Sequence, residues 1–111
     1  MTNGGLLDEH AEAIHTIEEF VSQTMHLPPP RVREEFDRDG VVFRWADASD
    51  GDKRLLVSRE FLDDNRTQDV PAILARLGVA DELERLPTDH TLVLTNDGVS
   101  IEETEPKYRK P

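Results

Sequence analysis

At 111 residues, 36% hydrophobic and 33% charged, the chain has room for one compact domain with a modest, mainly aliphatic core. Its formal charge of −11 argues against nucleic acid or an anionic membrane as partner, since no basic stripe able to displace phosphate counterions is visible. The lack of cysteine excludes disulfides and thiolate metal sites, and no apolar run reaches membrane-spanning length.

The acids recur from Asp8 to Glu105 in small groups between hydrophobic residues, the spacing of a solvated surface. The first residues, Met-Thr-Asn-Gly-Gly, lack the features of a signal peptide, so a cytoplasmic address is expected. Arginine outnumbers lysine ten to three, which suggests a GC-rich prokaryotic genome.

Residues 1–5 are expected to be disordered. Residues 6–26 read as the longest helix, with Leu7, Ala11, Ile14, Ile17, Val21 and Met25 in one apolar arc. Leu6, Ala13 and Phe20 widen the arc to about half the circumference, more than one sheet usually covers. Asp8, Glu9 and Glu12 suit the positive end of the helix dipole. Residues 27–31, with Pro28-Pro29-Pro30, stop the helix and form a stiff spacer.

The central stretch runs from Val41 to Leu62. Residues 32–36 and 41–46 are predicted strands joined through Asp37-Arg38-Asp39-Gly40, a turn signal. Val41, Phe43 and Trp45 share one strand face, which should be buried. A polar loop from Asp47 to Lys53 leads to a third strand, Arg54 to Val57, and Ser58 is placed to cap a short helix through Leu62. Asp69 opens the next helix: Pro71 lies in its first turn, and Val70, Ile73, Leu74 and Leu77 keep helical spacing up to Gly78. A short helix follows over Ala80 to Leu86. Thr91 to Thr95 and Val99 to Glu102 make a last hairpin through Asn96-Asp97-Gly98. Residues 104–111 read as a flexible tail.

The expected class is therefore α+β, with residues 6–103 as a single domain. It combines an N-terminal amphipathic helix with an antiparallel sheet of four to five strands built from hairpins. Two to three short helices precede the last hairpin.

No reactive constellation emerges. Counted from Asp47, the acidic loop puts Gly51 fifth and Ser58 twelfth, so the calcium-loop register fails. Glu12 and His15 make one Glu-x-x-His step, where a di-metal carboxylate site needs two, so surface pairing explains His15. His10 falls within the apolar arc, as an interface or core histidine would. Ser22, Ser49, Ser58 and Ser100 have no nucleophile elbow around them. Catalytic residues, metal and cofactor are accordingly expected to be none.

The function expected is that of a small acidic protein-interaction module without catalysis. It would use the helix stripe Leu7, Ile14, Ile17, Phe20, Val21 and Met25 for self-association or docking of a protein partner. One alternative is an acidic surface that binds a basic protein, as a nucleic-acid mimic or an antitoxin or immunity protein does. The other is a small-ligand or enzymatic domain with a pocket near Trp45.

Overall fold

The computed structural model describes residues 5–46 and 52–103. The expected disorder at 1–4, the acidic loop residues 47–51 and the expected tail 104–111 lie outside the described residues.

The predicted long helix is divided. A single turn, α1 (Leu6–Glu9), is followed after His10 by α2 (Ala11–Met25). His10 has φ −121° and ψ 36°, outside helical values. Contacts to distant residues flank the break on both sides. The Leu6 amide donates to the Glu34 carboxylate at 3.1 Å, and the His10 ring meets Asp63 at 2.8 Å. Leu6 is completely buried. At its other end α2 stops on His26 in the left-handed conformation, φ 58°, and Leu27 N–H donates back to the Ser22 carbonyl. The prolines that follow cannot extend the helix.

Five strands form one sheet in chain order: β1 (Arg31–Glu35), β2 (Gly40–Trp45), β3 (Lys53–Ser58), β4 (His90–Thr95) and β5 (Gly98–Glu103). Hairpins join β1 to β2 and β4 to β5 through the turns named by the sequence, and β2 pairs antiparallel with β3. The α+β class holds, but the sheet is mixed, because β3 and β4 run parallel. A parallel neighbour needs a long crossover. Here α3 (Arg59–Asp64), a 3-10 turn (Thr67–Asp69), α4 (Val70–Leu77) and α5 (Val79–Glu84) provide it. Turn residues announce a hairpin; nothing comparable announces the partner of a strand that ends in a helix.

Local chemistry sets each end of the crossover. Ser58 Oγ accepts the Phe61 amide at 3.1 Å and starts α3 as expected. Gly78, at φ 66°, ends α4 and turns directly into α5. Asp69 precedes α4 but makes no side-chain cap, since the 3-10 turn leading into it already has helical backbone angles.

Among the described residues, every α-helix contributes to the core on one face of the sheet. The core joins Leu6, Ile14, Ile17 and Val21 to Val41, Phe43, Trp45, Leu55, Val57, Leu92 and Leu94, with Phe61, Leu74 and Leu83 from the crossover. Trp45 is fully buried, stacked on Phe43 with ring centroids 5.7 Å apart. Lys53 is buried among these apolar groups, its Nζ donating to the carbonyls of Glu84 and Leu86 at the end of α5. A cation fits there, where helix carbonyls lack partners of their own.

Candidate functional site: an arginine-lined groove on the open sheet face

Strand register decides which side chains face away from the helices. Phe43 pairs with Val32 and Leu55, and Leu55 with Leu92, so these share the covered face. Alternation then sends Arg31, Arg33 and Glu35 of β1, Val42 and Arg44 of β2, and Arg54 and Leu56 of β3 to the opposite face. Thr91 and Val93 of β4 follow them, with Ser100 and Glu102 of β5.

One row on this face is unusual. Arg44 stands directly opposite Arg31 on one side and Arg54 on the other. Like charges directly opposite one another destabilise a sheet. Three in succession gather positive charge on this face, and carboxylates answer part of it: Asp52 meets Arg44, and Glu35 stands 3.6 Å from the neighbouring Arg33. Thr91 and Glu102 continue the row toward β5.

The row borders a groove of about 630 Å³ lined by five of the chain's ten arginines: Arg31, Arg33, Arg38, Arg44 and Arg54. Val42, Leu56, Thr91, Glu35 and Glu103 are among the other lining residues. Leu56 and Val93 are almost fully buried though they belong to the face opposite the helices, and Leu56 lines the groove together with Val42. Arg38, in the β1–β2 turn, reaches Glu102 on the far edge strand at 2.5 Å. The turn and β5 thus meet across the open side. Arg44 also has a carboxylate neighbour, Asp52, at 2.5 Å.

Chemically the groove offers guanidinium donors beside the carboxylates of Glu35 and Glu103. Guanidinium groups stay protonated, donate five hydrogen bonds in a fixed fork, and neither attack nor shuttle protons.

The residues singled out in the first helix are placed differently. Ile14, Ile17 and Val21 are buried in the core of a single protomer, and Phe20 and Met25 are partly buried against it. Leu7 alone of the stripe is more than a third exposed, at 37%. The surplus apolar face is taken up by α4 and α5, both of which pack on α2. A partner reaches Ile14, Ile17 and Val21 only by displacing that packing.

Other candidates resolve into structure. Ser22 Oγ accepts a hydrogen bond from Trp45 Nε1 at 2.9 Å, and Ser58 is the cap described above. His15 pairs on the surface with Glu19 at 3.3 Å. Trp45 lines neither the groove nor a second hollow between the first helices and the α3–α4 connection. That hollow, about 540 Å³, is bordered by Glu9 and His10. Ligand atoms of Glu9, His10 and Asp63 lie within 4.8 Å of one another. The Arg59 guanidinium stands 3.8 Å from Glu9 and already supplies positive charge to this cluster. Arg59 is itself held above its ordinary value, foremost by its hydrogen bond to Asp39 and, against an opposing effect of burial, by the charges of Asp39, Glu9 and Asp63. The loop tested for calcium has Asp47, Ser49 and Asp50 outside the described residues.

No protein-family model, curated protein or solved structure matches this chain. The site therefore has to be read from its own geometry. The groove escaped the sequence reading because its arginines are spread from position 31 to position 54 among acidic neighbours. A usable signal was present: arginines at positions 31 and 33 share a face by alternation, and Arg44 sits in the strand just before the one that carries Arg54.

Proposed function

We propose that the protein is a non-catalytic, cytoplasmic protein-interaction module that docks a short acidic segment of a partner protein in the groove of its open sheet face. The observation that carries this reading is the collection of five arginines around one groove in a chain of formal charge −11. Charge complementarity selects an anionic occupant. The rest of the surface selects its length. A long polyanion such as single-stranded nucleic acid, extending past the groove, would meet an acidic exterior and be repelled, whereas a short acidic segment stays beside the arginines and exchanges with the carboxylates that pair with them. The Arg38–Glu102 contact, spanning from the turn to the edge strand, also bounds the groove at one side.

The test is titration of the protein into a fluorescently labelled acidic peptide, followed by anisotropy, with a single-stranded oligonucleotide of equal charge beside it. Saturable peptide binding that weakens with salt and is abolished by Arg31→Glu supports the proposal. Preferential binding of the oligonucleotide, or peptide binding unchanged by Arg31→Glu, overturns it.

A further inference from the structure

We propose that the protein forms a two-fold homodimer in which β5 pairs antiparallel with β5 of a second copy, the axis passing through Ile101. The inference stands on the edge of the sheet and is independent of docking in the groove.

Among the described residues, β1 and β5 are the two edges of the sheet. An edge strand presents a row of main-chain donors and acceptors to any other strand, and proteins guard such rows with charge or proline. β1 is guarded. Four of its five residues are charged, and Pro28-Pro29-Pro30 runs directly into it. β5 carries no such guard over Gly98-Val99-Ser100-Ile101, and its ladder with β4 continues without a bulge from the Thr95–Gly98 pair to the His90–Glu103 pair.

Ile101 gives this edge a reason to be covered. It ends the row Val32–Phe43–Leu55–Leu92–Ile101 on the face that carries the helices. Phe43, Leu55 and Leu92 are fully buried, whereas Ile101 is 49% exposed and so stands at the margin of the helix layer. The Ile101 of a second copy completes the row, with both helix layers on the same side of one continuous sheet.

The strand is complementary to itself in this register. Directly opposite residues share a sheet face, so the axis of such a pairing falls on a residue. With the axis on Ile101, that side chain meets its own counterpart, Ser100 stands opposite Glu102, and Val99 stands opposite Glu103. No like charges oppose one another. Moving the axis to Ser100 sets Asp97 against Glu103, and moving it to Glu102 sets glutamate against glutamate. β1 has no equivalent register. An axis on Arg31, Arg33, Glu34 or Glu35 opposes that residue to itself, and one on Val32 opposes Arg31 to Arg33. Pairing β5 with β1 of the next copy would set Glu102 against Arg31, but Arg38 already holds Glu102. Contacts between different edges also build rings or open chains, whereas a two-fold contact closes on itself as a dimer.

Sedimentation over a wide range of protein concentration tests the proposal. The mass is expected to double as concentration rises. Added salt should strengthen the association, because each copy carries a formal charge of −11. Ile101→Lys should give a monomer whose circular dichroism matches that of the parent. The chain has no cysteine, so introduced thiols report the register. Under mild oxidation Ile101→Cys should cross-link to its own counterpart, since directly opposite side chains lie about 4.5–5.5 Å apart at Cβ. Ser100→Cys should not, because its counterpart sits diagonally, about 7–8 Å away. A chain that stays monomeric, or a dimer that survives Ile101→Lys, overturns the proposal. A mass that grows past two copies overturns the closed pairing in favour of β5 on β1. Faster cross-linking through Ser100→Cys than through Ile101→Cys overturns the axis at Ile101.

Discussion

Trp45 Nε1 donates a hydrogen bond to Ser22 Oγ at 2.9 Å, joining the second strand to the longest helix through the only indole in the chain. The bond satisfies a buried donor that would otherwise face apolar side chains. Ser22→Ala is expected to cost about 1–2 kcal/mol, the range for stranding such a group. Urea denaturation followed by circular dichroism measures it. The same change made in a Trp45→Phe background should cost far less, because the donor is gone; an equal cost in both backgrounds would show that the bond contributes nothing.

Lys53 is buried and donates to the last carbonyls of the crossover. Replacing it by methionine keeps the stem and removes the donor. The expected loss is about 2 kcal/mol, from the unmade bonds to Glu84 and Leu86. The denaturation midpoint should fall with little change in slope, since the surface exposed on unfolding is nearly the same.

Ile17 and Leu7 separate folding from assembly. Ile17 is fully enclosed, so Ile17→Asp buries a carboxylate among aliphatic groups and should abolish cooperative unfolding. Leu7 is exposed, and Leu7→Asp should shift stability by no more than about 0.5 kcal/mol. Sedimentation of the Leu7 variant then tests self-association through the first helix. A lower mass at unchanged stability would establish that helix as a contact between copies.

Salt should act in opposite directions on stability and on binding. A chain with formal charge −11 repels itself, and added monovalent salt screens that repulsion, so the melting temperature should rise. The same screening weakens attraction between the groove and an acidic segment. A melting temperature that falls over the same salt range would contradict the first half of this expectation.

Much of the fold was legible because its signals are local. The turn at Asp37 to Gly40, the cap at Ser58, the stop at Gly78 and the hairpin ending at Gly98 each act over a few residues, and each stands where the sequence puts it. What escaped notice depends on distant partners. The first helix breaks at His10, whose ring meets Asp63, 53 positions later. The apolar arc around Ile17 looked too wide for one domain because α4 and α5 come from beyond the third strand. The groove was hidden by averaging: whole-chain charge is strongly negative, while register brings Arg31, Arg44 and Arg54 into one row.

The parallel pairing of β3 with β4 has a consequence for biosynthesis. A nascent chain emerging from the ribosome completes its first three strands early, yet the partner for the open side of β3 is made only after the whole crossover has been translated. Until then β3 is an unpaired border with a ready template for foreign strands. Any message truncated before Leu92 leaves that border permanently bare, and its product should be caught by chaperones or proteases where the full-length chain escapes them.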